Sequence, residues 1–292
     1  MSNTKLIIEE RSRDIGDFLV GRLLPFRRKR MIGPFIFIDH MGPTTLGRDK
    51  IMSVDQHPHI GLATLTYLLS GAVMHADSIG TSQKIVPGEV NLMIAGKGVT
   101  HTERTPEELK EKTYQMEGYQ IWLALPKDME DNQPEFHHLK AHEVPSWDEN
   151  GLAMKLIVGS AFGKQSNLTL WSDLFMLEIV AQKDTTVNLT GNLKGEIGIL
   201  VHSGEITACD EIVKKGHLLV SKEDDFCQFK IKANSKLFIF GGQPFEEPRY
   251  IDWNFVSHDK AKIEKAKLAW NNKQFPKVIN DNSYIPYPTV NV

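Results

Sequence analysis

Between residues 55 and 126, turn chemistry interrupts the chain again and again: Ser70-Gly71, Gly80, Pro87-Gly88-Glu89, Gly96-Lys97-Gly98, Thr105-Pro106 and finally Pro126. The segments left between these turns read as strands. They are also rich in β-branched and aromatic residues, as in Leu62–Ser70, Val90–Ala95 and Tyr119–Leu125. Many short strands separated by turns specify an all-β sandwich or barrel. A second block reads the same way, with strands expected at 154–158, 175–180, 195–201, 206–209, 217–220, 227–231 and 236–240, closed by Gly241-Gly242-Gln243-Pro244.

Strand geometry makes two short steps chemically informative. Side chains alternate faces along a strand, so His57 and His59 share one face, and His101 and Glu103 share one face of another strand. Two such strands facing each other bring together three imidazoles and one carboxylate. A mixed N/O set of this kind suits Fe, Mn, Ni or Co better than a closed structural zinc site, which favours thiolates.

The two blocks resemble each other in order along the chain. Leu69-Ser70-Gly71 followed by Asp77 matches His202-Ser203-Gly204 followed by Asp210, at an offset of 133; Pro87-Gly88 matches Lys215-Gly216 at an offset of 128. These offsets carry His57 and His59 onto Thr190 and Asn192, and His101 and Glu103 onto Phe229 and Ile231. A duplicated fold with metal chemistry in one copy is the reading that follows.

Bulk properties narrow the class. A chain of 292 residues with 41% hydrophobic and 24% charged residues is an ordinary globular protein with room for a large core. A formal charge of −3 lacks the basic excess of a nucleic-acid binder. Two cysteines, Cys209 and Cys227, form no CxxC and no disulfide framework; structural burial is the expected role of both, in a reducing cytoplasmic compartment. There is no apolar signal core in residues 1–10 and no apolar run long enough to span a bilayer. Monomer is the default oligomeric state.

Other polar features have quieter readings. Arg27-Arg28-Lys29-Arg30 is read as a solvated loop rather than a phosphate contact or import signal. Asp39-His40-Met41-Gly42-Pro43 is read as a turn, with Asp39 and His40 either near a metal site or serving as capping and core hydrogen-bonding groups. His137, His138 and His142 lie in a polar stretch and are expected to be solvated. A helix is expected from Ser257 as cap to about Asn271, with Ile263, Ala266 and Trp270 on one face; the Pro-rich tail from 280 wraps the surface or is disordered.

The motifs together closely resemble the pirin family of the cupin superfamily. They are Gly33-Pro34-Phe35 with Asp39-His40-Met41-Gly42-Pro43, His57-Pro58-His59 with Gly61, Gly96-Lys97-Gly98 before His101-Thr102-Glu103, and Gly241-Gly242-Gln243-Pro244-Phe245-Glu246-Glu247-Pro248. The resemblance spans roughly residues 5–260. It implies two tandem jelly-roll-type cupin barrels: a metal-binding barrel at 1–130, a linker at 131–150, a barrel without ligands at 151–245, and a helix and tail at 246–292 packing on the barrels. It implies His57, His59, His101 and Glu103 as metal ligands, usually of Fe2+, with Mn, Ni, Co, Cu or Zn as alternatives. It also implies activity as a quercetin 2,3-dioxygenase, taking a small aromatic substrate and O2, with Glu103 as ligand or base. The alternative from the same family is a non-enzymatic, redox-sensitive partner of a transcription regulator. Candidate pocket-wall residues are Phe35, Met41, Ile60, Met93 and Trp122, though ordinary core is the favoured reading of each. Two positions depart from the family pattern: Ile60 stands where an Arg is usual and Ala63 where a Glu is usual, which is expected to make the site mouth more apolar.

Overall fold

The computed structural model describes residues 6–14, 19–168, 170–208, 210–221 and 228–288; Cys209 and Cys227 lie outside these. The chain divides into two compact units. One comprises residues 13–20, 40–138 and 246–292; the other comprises 1–12, 21–39 and 139–245.

Each half of the duplicated pattern forms a large sheet and a four-stranded sheet. In the first half the large sheet has seven strands in the spatial order Glu135–Leu139, Val90–Ile94, Leu62–Ser70, Tyr114–Ala124, Phe35–Leu46, Leu19–Leu24 and Arg11–Asp14. The small sheet runs Ser53–His59, Val99–Arg104, Val73–Asp77, Ser82–Ile85. In the second half the large sheet has eight strands, and the small sheet runs Thr185–Asn188, Gln228–Ile231, Glu205–Ala208, Glu211–Lys214. The two small sheets therefore repeat the same strand order. The sheets stay open at their edges, so each half is a two-sheet jelly roll rather than a closed barrel.

Strand register corrects the repeat alignment. Opposite Phe229 lies Val187, as His57 lies opposite His101. The structural counterparts of His57 and His59 are thus Val187 and Leu189, three residues before the Thr190 and Asn192 indicated by the offset. Phe229 and Ile231 keep their places. All four are buried in one apolar cluster with Leu177, Ile199 and Ile239. A constant offset fails here because the second copy has three more residues between this strand and its Ser-Gly turn, 189 to 203 against 59 to 70. The second copy fills with hydrocarbon the space where the first carries its histidines.

Two further elements differ from expectation, while the basic run is the solvated loop its sequence suggested. The strand Phe35–Leu46 runs straight through Asp39–Pro43, because Gly42, at positive φ, lets the backbone of Met116 approach to where a Cβ would stand. The 131–150 segment is not a plain linker: it holds the strands Glu135–Leu139 and Ser146–Glu149. The basic run lies at a turn closed by Phe26 and Lys29, with Lys29 paired to Glu196.

The helix spans Lys260–Asn271 and buries Ile263, Ala266 and Trp270, the three residues its periodicity selects. Its start is two residues later than expected. Asp259, not Ser257, is the cap, its carboxylate accepting from Ala261 N at 2.8 Å; Ser257 instead donates to Glu130. The helix packs on Ile60 together with Phe255, Tyr284 and Tyr287. The tail from 278 to 285 is stitched down rather than loose. The Gln56 amide donates to Asp281 O, Asp281 Oδ1 and Ser283 O at 2.9–3.2 Å, and its carbonyl accepts from Val278 N at 2.8 Å. Among the described residues, no helix is long and apolar enough to cross a membrane.

Gln56 is buried at 3% exposure, so Gln56→Ala deletes four hydrogen bonds and leaves Val278 N without its acceptor. We expect a loss of about 2–4 kcal/mol and cleavage after Lys277 by trypsin under conditions that leave the wild type intact. Equal trypsin resistance in the two proteins would show that other contacts hold the tail.

Candidate metal centre

The site is built on the small sheet of the first half. The central strand Val99–Arg104 pairs antiparallel with Ser53–His59 on one side and Val73–Asp77 on the other. Register places His101 opposite both His57 and Asp77, and Glu103 opposite His75. A bulge between His101 and Glu103 breaks the register toward the Ser53–His59 strand, leaving Glu103 opposite Val54. The period-two reading of His57 and His59 holds, and the three histidines meet: one ring nitrogen from each of His57, His59 and His101 lies within 4.8 Å of the others. The closest pair is His59 Nε2 and His101 Nε2, 3.1 Å apart. The Glu103 carboxylate is not one of these converging atoms; it shares the strand face and is buried at 8% exposure.

The outer ring nitrogens are held by backbone. His57 Nδ1 donates to Asp55 O at 2.8 Å and His59 Nδ1 to Asn254 O at 3.1 Å. A carbonyl only accepts, so both rings carry hydrogen on Nδ1 and a lone pair on Nε2. Asn254 arrives from the turn between Tyr250–Asp252 and Phe255–Ser257. That turn is seated by the Val256 N to Ile60 O bond and by Gly61, where any Cβ would strike Val256 O.

Electrostatics keeps the cluster uncharged. Burial lowers the His57 pKa to about 4, against a smaller upward pull from the Asp55 carbonyl. Burial, reinforced by the neighbouring imidazoles, holds His59 and His101 well below the ordinary histidine value. Burial raises Glu103 to about 7. Neutral imidazoles with lone pairs converging and a carboxyl nearby fit a divalent cation, which needs those lone pairs and offsets their mutual repulsion.

Four contributors escaped the sequence reading. His75 lies with its Nδ1 3.4 Å from His101 Nδ1 and its Nε2 3.1 Å from Asp77 Oδ2. Phe136 stacks on His75 with centroids 4.8 Å apart, and Asn254 supplies only its carbonyl. His75-Ala76-Asp77 is a third period-two step on a strand, so its signal was present; a backbone carbonyl leaves none. Of the expected wall residues, Trp122 reaches the site, edge-on to His59 at 5.1 Å. Met93 is opposite Thr64, which is opposite Trp122, and clusters with Phe136. Phe35 stacks instead on Phe240, Met41 joins the core around Leu68 and Met116, and Ile60 seats the C-terminal helix. His40 stacks on Tyr119 and bonds Glu117, while Asp39 takes a bidentate pair from Arg22. His138 bonds Asn91 and His137 bonds Glu135; with His142 they form no convergent group among the described residues.

A pair of open-edged jelly rolls, one with an inward-facing histidine cluster and the other filled with hydrocarbon, defines a cupin-type protein of two repeats. The pirin family pattern matches residues 18–123 and the pirin C-terminal cupin domain matches 176–276. A pirin-like protein of Caulobacter vibrioides is 39% identical over 288 residues, covering 97% of this chain and 99% of the relative. Quercetin 2,3-dioxygenase from Acinetobacter baumannii, solved by crystallography, superposes with a TM-score of 0.90 at 30% identity, covering 98% of this chain and 95% of that one. A second quercetin 2,3-dioxygenase structure from the same organism gives 0.84 at 25% identity, covering 94% and 98%. The chain belongs to the pirin family.

The two departures from the family pattern have a structural account. Ile60 is covered by Phe255, Ile263, Ala266 and Trp270, so it serves the C-terminal docking and not the site mouth. Ala63 is fully buried and pairs with Leu123 and Ile94, one step out of phase with Trp122 and Met93, on the sheet face turned from the histidines. Ala63→Glu therefore buries an unpaired carboxyl and is expected to lower stability by about 3 kcal/mol or more, read as a fall in the denaturation midpoint. An unchanged midpoint would overturn this placement of Ala63.

Proposed function

We propose that this chain is a mononuclear metal-dependent dioxygenase that cleaves quercetin-like flavonols with O2 and releases carbon monoxide. The observation that carries the reading is the convergence of three neutral imidazoles, with the buried carboxyl of Glu103 two residues along the strand from His101. The names of the two Acinetobacter structures, similar to this chain over nearly its whole length, support the substrate class.

His57, His59 and His101 would hold the ion, with Glu103 as fourth ligand or as base. Fe2+ is the assignment; Mn, Ni, Co, Cu and Zn accept the same donors, and availability selects among them. A bound divalent ion supplies Lewis acidity toward the flavonol oxygen and a centre for O2 chemistry. The protein's own groups do the rest. Glu103, its carboxyl raised to about 7, is matched to accept the proton of the 3-hydroxyl. Trp122, edge-on to His59, and Phe136, stacked on His75, surround the cluster with aromatic carbon that excludes water. The carbonyls of Asp55 and Asn254 keep two imidazoles from rotating away from the ion. The cytoplasm is the compartment proposed for this chemistry.

The test is aerobic quercetin consumption, followed as loss of its visible band, after loading with Fe, Mn, Ni, Co or Cu in turn. Turnover with at least one metal is expected; none with any of the five would sink the dioxygenase reading. His59→Ala and His101→Ala are expected to lose bound metal, assayed by elemental analysis, and unchanged occupancy would overturn the ligand assignment. Glu103→Gln is expected to retain metal through the three histidines while kcat falls about 10²–10⁴-fold. A kcat within threefold of wild type would remove Glu103 from proton transfer.

A further inference from the structure

We propose that Asp77 and His75 form a positioning relay that presents the Nε2 lone pair of His101 to the metal. The inference rests on the metal-site reading and deepens it. His57 and His59 have backbone carbonyls behind them, which settle their tautomers. His101 has none: the atom facing its Nδ1 is another imidazole nitrogen, His75 Nδ1 at 3.4 Å. An imidazole can donate or accept, so this contact by itself leaves His101 free to turn its lone pair the wrong way.

Asp77 removes that freedom. Its Oδ1 accepts from Ile79 N at 3.1 Å and Thr81 N at 2.9 Å, while Oδ2 faces His75 Nε2 at 3.1 Å. Burial alone would raise this carboxyl, but the hydrogen bonds from His75 and Thr81 outweigh it and hold Asp77 below the ordinary carboxylate range. An ionised carboxylate accepts only, so His75 Nε2 carries a hydrogen. In a neutral His75 ring the lone pair then lies on Nδ1 and takes the His101 Nδ1 hydrogen, which leaves the His101 Nε2 lone pair facing His59 Nε2. Phe136 stacked on His75 keeps the ring from turning. The relay is wholly interior: His75 is 3% and Asp77 1% exposed. In the second repeat the register partners of these two positions are Ile206 and Ala208, both in the apolar cluster. The relay is present where the histidines are and absent where they are not.

Asp77→Asn separates a positioning role from a structural one. The two backbone donors at Oδ1 hold the Asn carbonyl, so its NH2 faces His75 and donates to Nε2. Every hydrogen in the chain then reverses, and His101 Nε2 becomes an N–H. In the metal-free wild type, two-bond 15N–1H correlation spectra are expected to show His101 protonated on Nδ1; in Asp77→Asn they are expected to show it protonated on Nε2. Co2+ affinity, measured by competition with a chromophoric chelator, is expected to fall about 10–100-fold. His75→Phe keeps the stack on Phe136, removes the acceptor, and is expected to weaken Co2+ to the same degree. The double variant should be no weaker than His75→Phe alone, since both changes break one chain. The same His101 tautomer in wild type and Asp77→Asn, or Co2+ affinity in both single variants within twofold of wild type, would overturn the relay. Failure of the wild type to bind Co2+ would instead strike the metal-site reading, and the metal-free spectra would still decide the hydrogen-bond chain.

Discussion

Everything chemical in this molecule hangs on the antiparallel register of one strand. Val99–Arg104 sits between two neighbours, and that pairing sets His101 across from His57 on one side and Asp77 on the other. A slip of one residue would turn His101 and Glu103 to the opposite face together. The register is pinned at both ends by hydrogen bonds outside the ladder. Thr105 N donates to Met52 O, and Ser78 N to Thr100 O. The sheet thus acts as a ruler whose graduations are imidazoles, and the large sheet opposite brings Trp122 against it.

The repeat shows what the same ruler does without polar residues. Val187, Leu189, Ile206, Ala208, Phe229 and Ile231 occupy the register positions of His57, His59, His75, Asp77, His101 and Glu103, and all six are buried in a single apolar cluster. A hydrocarbon interior gains from burial; a cluster of imidazoles and carboxyls is costly to bury unless its hydrogen bonds are met or a cation takes up its lone pairs. The first repeat bears that cost in a fold whose other half is filled in the ordinary way.

Much of this was legible in the sequence. Strand class, the duplicated pattern, the His57/His59 step and the buried face of the C-terminal helix all follow from periodicity, which is a local property. The His101/Glu103 step followed from the same periodicity, and the family resemblance pointed to the same four residues. What escaped was non-local or backbone-borne. The three-residue error in aligning the repeat arose because sequence spacing cannot show which residues face each other. His75 and Asp77 were hidden because an imidazole bonded to another imidazole looks like any core histidine until its neighbours are placed. Ile60 and Ala63 were read as changes at the site mouth; one seats the helix and the other faces away. The tail stood open between wrapping the surface and disorder, since nothing in its composition announces that a glutamine beside His57 has reserved four hydrogen bonds for it.

The Asn254 carbonyl behind His59 lies 195 residues farther along the chain. Its turn is docked by Ile60, Gly61 and the helix that follows. During synthesis the three histidines leave the ribosome well before the carbonyl that orients His59. The order of the chain thereby separates making the ligands from arming them. On the metal-site reading proposed above, ion capture waits on that later segment, and a polypeptide lacking it presents the histidines without the hydrogen bond that orients His59.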